Sequence, residues 1–529
     1  MIKLPKSAYI YALKHLMKEG DTDLFPTAFE IQALKYNWPT IIDQLNNLDL
    51  SSYEWSGGRR FVIPTGRLSF RNATQLEPLD SLVITALIKT FGKKIEGSRV
   101  PIKERQVFSY RFEPKADGSL YGGSSSWHEF WQTSLNKAAG GGVKWVAIAD
   151  ITDYYNQIYH HVLANQLIQA GVPKAVTAII EKRFLGTLTH GVSRGIPVGP
   201  HSMHLLAGCA LIPIDQSLIS RGYDFCRYAD DFHFFCKSQE EARVALFDFA
   251  DTLDKQQRLT IQKQKVRVMP AEEFINHANS MLIDRPLNED EKEILKVIGK
   301  YSSGPYENVS LDSLSAEDLN AVASDVLTPL FELYLGSEPI NYPRIGWLLR
   351  RLTQVGAPGA VDFTLEHISD LAPALGDVSR YLMRASPNYS GDMNATGQLI
   401  LDALDHPLIE HSEYVMMILF SLFATIPKLN HINEVTARYQ DSPPSVRREI
   451  MFAAGTARQG HWVKEQKDDF TGGDPWTRRA LIYAARSLPG DEADHWLSKI
   501  KNRMSGMEKI VARWAFKNKG MKLGNVTIP

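Results

Sequence analysis

Three aspartates stand where carboxylates could do metal chemistry. Asp150 lies near the end of the apolar run Val143–Ile151 (VKWVAIADI), and Asp230-Asp231 lie in the middle of Phe225–Cys236 (FCRYADDFHFFC). Both runs are rich in β-branched, aromatic and apolar residues, which predicts buried strands, the second folding back at its acidic pair as a hairpin. Antiparallel strands laid side by side would bring the three carboxylates to one sheet edge. Such a cluster cannot stay ionised without a cation, because like charges raise each other's pKa. Two Mg²⁺ ions would relieve the repulsion, activate an attacking hydroxyl and stabilise a leaving pyrophosphate in in-line phosphoryl transfer. An Asp-Asp pair is ordinarily a solvated turn; here it is embedded in apolar strands, where an acidic pair needs a reason.

The elements around these residues suit that task. The interval between Asp150 and Asp230 leaves room for a helical crossover. It reads as a helix over Asn156–Gln169, a Gly/Pro-rich loop over Gly191–Pro200 and a second helix over Ser202–Ser220. Gly140-Gly141-Gly142 breaks the chain ahead of the first strand, and Asp80–Ile88 reads as a compact apolar helix. From about Ser310 the strand signals fade into helical patterns separated by Pro, Gly and Asp breaks. Ser445–Ala454 (SVRREIMFAA) aligns with Trp476–Ala485 (WTRRALIYAA), the offset being that between Arg447 and Arg478. A loose helix-hairpin period of that length predicts a HEAT-like α-solenoid. The expected fold is therefore α+β over residues 1–300, followed by an all-α helical-repeat domain over 301–529.

Composition bounds the partners. The 59 Lys+Arg against 60 Asp+Glu leave a net charge of −1 over 529 residues, so nucleic-acid binding must come from local basic surface. Lys93, Lys94, Arg99, Lys103, Arg105 and Arg111, interleaved with aromatics, are candidates for gripping phosphate. Cys209, Cys226 and Cys236 lie in apolar surroundings without CxxC spacing and read as buried thiols of a reducing compartment. No apolar run reads as a membrane span and the N-terminus is not a signal peptide, so a cytoplasmic chain with no membrane partner is expected.

The chain resembles a reverse transcriptase. Ala149-Asp150-Ile151-Thr152-Asp153-Tyr154-Tyr155 is similar to motif A, and Tyr228-Ala229-Asp230-Asp231 to motif C. Arg194-Gly195-Ile196-Pro197-Val198-Gly199-Pro200 takes the place of motif B, and Leu259–Val266, with Lys265, that of motif D. The resemblance spans about residues 60 to 270 and implies a right-hand polymerase with fingers and palm. It implies Asp150, Asp230 and Asp231 as catalytic metal ligands, with the Ile151 carbonyl contributing, for two Mg²⁺ ions or Mn²⁺ in their place. It makes Tyr155 an aromatic gate against the ribose 2′-OH, and Lys265 a nucleotide contact. Arg111 and Arg194 are expected at the triphosphate.

Two departures narrow the resemblance. Motif B commonly opens Gln-Gly, whereas this chain has Arg194-Gly195, and a long helical array follows the palm in place of a thumb. A palm fused to such a tail is similar to the bacterial abortive-infection (Abi) reverse transcriptases of phage defence. That likeness implies template-independent DNA synthesis from dNTPs, primed by a protein hydroxyl, with single-stranded DNA left attached to the protein. It also implies a homo-oligomer, trimer or hexamer. Tyr9 and Tyr11, in the N-terminal amphipathic stretch, are the candidate priming residues. The rival expectations are an RNA-templated enzyme of retron or intron type and a catalytically silent helical-repeat scaffold.

Overall fold

The computed structural model describes residues 1–122, 126–282, 286–301, 308–517 and 528. The chain divides into two compact units that are discontinuous in sequence. Unit 1 is Met1–Asp23, Pro39–Arg60 and Thr74–Asp284; unit 2 is Leu24–Trp38, Phe61–Ala73 and Arg285–Pro529. Two short segments from the N-terminal part of the chain therefore belong with the helical tail.

Unit 1 is built on a four-stranded antiparallel sheet. With β1 (Gly58–Gly66) and β2 (Ser69–Leu76) forming a separate hairpin, the sheet contains β3 (Trp145–Asp150), β4 (Phe225–Tyr228), β5 (Asp231–Cys236) and β6 (Arg267–Pro270), in the order β4-β5-β3-β6. β5 is central, and helices cover both of its faces, which is why its sequence is nearly all apolar. Phe232 and Phe234 pack on Phe249 of the helix Gln239–Gln257. His233 and Phe235 point the other way, toward Phe130, Trp131 and Phe274. The register sets Asp150 directly opposite Asp231 and Trp145 opposite Cys236.

The anticipated helices are present with changed ends. Asn156–Gln169 is two helices, Tyr154–Gln157 and His160–Gln169, and Asp80–Ile88 lies inside the longer helix Pro78–Ser98. All three cysteines are buried and free. One expectation is corrected: His201–Ser220 is long and apolar enough to cross a membrane, but 72% of that window is buried inside the fold. Most of its apolar side chains are core, as Leu205, Leu206, Cys209, Ile214 and Leu218 show by their full burial, while Ile219 is exposed.

His15, on the helix Lys6–Glu19, is 2% exposed, bonds to the Gly118 carbonyl at 2.9 Å and meets the edge of His201. Burial lowers its pKa to about 4. An unfolded chain takes up this proton near pH 6.5. The contribution is thus complete above pH 6.5 and drains as the pH falls toward 4. The thermal unfolding temperature of wild type should fall more steeply across that window than that of His15→Gln; parallel pH profiles would reject a role for this imidazole.

Among its described residues, unit 2 is helical apart from its share of the β1–β2 hairpin. Glu413–Thr425 packs on Pro444–Thr456, which packs on Pro475–Ala484, which packs on Gly506–Ala515. Phe452, Tyr483 and Trp514 recur at one constant spacing along this series, and their rings all meet Phe29. Arg448 and Arg479, separated by the same interval, both bind the fully buried Glu30. Equivalent positions of the repeated sequence thus converge on the segment Leu24–Trp38.

Candidate active site

The site forms where β3 ends and β4 turns into β5. Ala149 is buried and in register with Phe232, which fixes Asp150 at the strand end beside Asp231. Tyr228 pairs with Asp231, so the turn consists of Ala229 and Asp230 alone. Ala229 takes a φ of +51°, a left-handed conformation that glycine normally supplies and that costs an alanine roughly 1–2 kcal/mol. Such strain persists only where surroundings enforce it.

A buried ion pair enforces it here. Arg227 of β4 donates Nε to Asp215 Oδ1 and Nη2 to Asp215 Oδ2, both at 2.6 Å, and Nη1 to the Ala229 carbonyl at 3.1 Å. Both partners are almost fully excluded from water. The fork-to-fork geometry joins the helix Ile212–Ser220 to the acidic turn. Asp215→Ala leaves a buried guanidinium without its carboxylate, so we expect a loss of about 3–5 kcal/mol in stability. Denaturant titration measures it; a loss under about 1 kcal/mol would mean the pair is dispensable.

The carboxylates repel one another. Burial first, then the Asp150 charge, pushes Asp230 up to about 6. Burial, Asp230 and Asp150 together push Asp231 up to about 8. Lys265 donates its ammonium to Asp150; burial works against that charge, but the carboxylate outweighs it and holds the amine above its ordinary range. Gln262, three residues before Lys265, donates its amide to the Asp150 carbonyl at 2.7 Å, which holds this segment beside the strand end. The Ile151 side chain is buried, and its amide donates to the Asp230 carbonyl at 3.2 Å. Among the described residues no three His, Cys, Asp or Glu side chains are already drawn into an ion-holding cluster. The donor chemistry nevertheless suits a hard divalent cation: carboxylate oxygens at one sheet end, whose mutual repulsion a cation would relieve.

The other anticipated residues divide. Tyr155 is half-buried, and its hydroxyl lies 2.8 Å from His204 Nδ1. Arg194 lies over the Tyr159 ring at 5.0 Å, in a loop whose Gly195 takes a φ of +91° and donates to the Ile158 carbonyl. Arg111 is corrected: it is 2% exposed and spends its guanidinium on Glu96 and the Val107 and Val100 carbonyls, so it braces the fold and does not face a triphosphate. Arg99 is likewise buried, on Glu96, Ser109 and Tyr110. Tyr9 and Tyr11 are also corrected, being 0% and 8% exposed in a packed helix. The Tyr11 hydroxyl donates to the Ser119 carbonyl at 2.6 Å, and burial raises both phenols above their ordinary range. In this fold neither is the mobile hydroxyl that priming requires. Arg227 and Asp215 escaped the sequence reading, although an aspartate inside the apolar run Ile212–Ser220 was a signal that it had a buried partner.

The strand-end aspartates, the hairpin turn and the neighbouring lysine define a polymerase-type palm. Residues 85–295 match the family model described as reverse transcriptase (RNA-dependent DNA polymerase). That match marks the segment as reverse-transcriptase-like, and the chain is a nucleotidyltransferase, a reverse-transcriptase-like polymerase. Reverse transcriptase domains in general work with divalent metal ions. Among solved structures the chain is similar to telomerase from Candida albicans in complex with a TWJ fragment of telomeric RNA, at 12% identity and a TM-score of 0.28. That likeness covers 70% of this chain and 67% of the telomerase chain. No curated protein matches the sequence.

Proposed function

We propose that the chain is a DNA polymerase of antiphage defence that builds single-stranded DNA from dNTPs with two Mg²⁺ ions, primed by its own hydroxyl and without a template. The observation that carries the polymerase reading is the pairing of Asp150 with Asp231, next to Asp230 in its two-residue turn. Asp150, Asp230, Asp231 and the Ile151 carbonyl would hold the ions, which supply Lewis-acid activation of the attacking hydroxyl and charge neutralisation at the leaving pyrophosphate. Lys265, which donates to Asp150, would be available to the nucleotide if that carboxylate held a cation instead. Arg194 remains the triphosphate candidate. Template independence draws support from the departure at Arg194-Gly195, where a template seat is expected, and from the palm fused to a helical tail, in which the chain resembles the Abi group. The same likeness supports a HEAT-like tail and a cytoplasmic homo-oligomer with its DNA product attached.

A second reading, RNA-templated synthesis, is favoured by the description of the matching family. Purified protein with Mg²⁺ and labelled dNTPs, with and without RNA, separates the two. Incorporation without RNA, in a band that stays with the polypeptide through denaturing electrophoresis, supports the first reading. Strict dependence on RNA supports the second, and no incorporation under either condition rejects both.

Sugar selection is a narrower expectation. The ring at Tyr155 lies five residues after Asp150, and its hydroxyl is held by His204. Tyr155→Ala should let ribonucleotides compete, lowering the dNTP/rNTP preference by about tenfold or more, the weight of a steric contact worth roughly 1.4 kcal/mol. An unchanged ratio in an otherwise active variant would assign the ring to packing.

A further inference from the structure

A cavity of about 270 Å³ lies beside Tyr228, two residues before Asp230, and rings make up much of its wall: Tyr110, Tyr121, Tyr228, His15, His201 and His204. Tyr110 stacks on His204 with centroids 3.8 Å apart and planes 11° from parallel. Tyr121 meets Tyr110 edge-on at 5.5 Å, and Tyr228 lies 5.8 Å from Tyr110. Hydrogen bonds hold this wall in place. The Tyr121 hydroxyl donates to the His201 carbonyl and accepts from the Leu205 amide at 3.2 Å.

The lining excludes some ligands. Among the described residues it contains no lysine or arginine; Lys18, just outside it, is spent on Ser119, Glu19 and Asp117, so a phosphate would compete with these partners for that nearby cation. His15 and His201 are lowered by burial and stay neutral at pH 7. Apart from Glu19, what remains are flat faces and uncharged polar edges, the surroundings in which a nucleobase stacks and hydrogen-bonds. The volume falls just below the sizes usual for sites that take drug-sized ligands, which suits a single base or nucleoside.

We infer that this cavity is a nucleobase-binding site. Resting on the polymerase reading above, its occupant is the base of the incoming dNTP, and the protein's own rings take over base discrimination from a template. The wall connects to the reaction centre at two points: Tyr228 pairs with Asp231, and His204 holds the hydroxyl of Tyr155. A base in the cavity therefore shares one hydrogen-bonded wall with the residue expected to inspect the sugar.

The test uses the full chain and the four deoxynucleosides without phosphate, with binding followed by saturation-transfer NMR and calorimetry. Wild type should bind at least one of them saturably. Tyr110→Ala should weaken that binding about tenfold or more, the weight of one lost ring stack. Tyr110→Phe, which keeps the ring, should bind like wild type. If Tyr110→Ala does not fold, His204→Leu, which removes the stacking partner at similar volume, should show the same loss. Each variant is also given the four dNTPs singly, and its order of preference should depart from that of wild type by about the same factor. Absence of deoxynucleoside binding to wild type, or equal binding by folded Tyr110→Ala and His204→Leu, overturns the site. Binding that depends on Tyr110 in a protein that incorporates no dNTP retains the base site and rejects the polymerase reading, so the two failures are distinct.

Discussion

Asp150→Ala and Asp230→Ala proteins should incorporate dNTPs at least about a thousandfold more slowly than wild type, while unfolding at an unchanged or higher temperature. The thousandfold corresponds to about 4 kcal/mol of transition-state stabilisation, within what a positioned metal ion contributes. The unusual half of the expectation is the stability. Asp230 and Asp231 are pushed up to about 6 and 8 by burial and by the charges of their neighbours, so the folded chain holds them at a cost. Removing one carboxylate relieves the others. The two substitutions differ in one respect: Asp150→Ala also deprives Lys265 of its partner, whereas Asp230→Ala leaves that bond in place. Incorporation assays and thermal unfolding on the same preparations decide it. Near-normal incorporation by Asp150→Ala would remove the metal assignment, and a collapse in unfolding temperature would recast the aspartates as structural.

Glu30→Gln should cost unit 2 about 3–5 kcal/mol, the penalty for leaving buried charge without its counterion. Glu30 is fully buried and accepts from Arg448 Nη2 at 2.9 Å and from Arg479 Nε at 2.8 Å. Burial alone would raise its pKa; the two guanidinium groups overcome that and hold it below its ordinary range. A depressed carboxyl gives stability that is complete above its unfolded pKa of 4.5 and lost as the pH falls below it. Glutamine keeps the shape but gives Arg479 a neutral partner and leaves Arg448 to Glu449. The denaturant midpoint of unit 2, followed by tryptophan fluorescence, measures the loss, and it should shrink as the assay pH approaches 4. A stability within about 1 kcal/mol of wild type at pH 7 would show that the two arginines find other partners.

The palm strands were legible because their composition matches their position. Val146, Ala147, Phe232 and Phe234 are buried with helices covering both faces of the sheet, so the residues read as continuous apolar runs whose ends stand out by their aspartates. β6 was not legible, since so short a strand with an exposed arginine carries no period. The β1–β2 hairpin escaped for a related reason: Arg59, Arg60 and Arg71 interrupt its apolar alternation, and Pro64 falls inside β1. Side-chain roles that depend on distant packing were beyond reach. Arg111 lies in a basic stretch and reads as solvent-facing until Glu96 and two carbonyls are seen around it. Tyr9 and Tyr11 look accessible in a charged helix, yet the helix turns them inward. The repeat was visible as one matched pair; the third aromatic, Trp514, lies in a helix whose remaining residues share little with the other two.

The membership of Leu24–Trp38 and Phe61–Ala73 in unit 2 has a consequence for any exchange of parts. A tail transplanted from position 285 onward would arrive without Glu30 and Phe29, leaving Arg448 and Arg479 facing an empty socket and its aromatic series uncapped. A donor chain would have to contribute three stretches at once, so neither recombination at a single crossover nor truncation before residue 285 can yield a self-sufficient half. The exchangeable part is therefore the three stretches together.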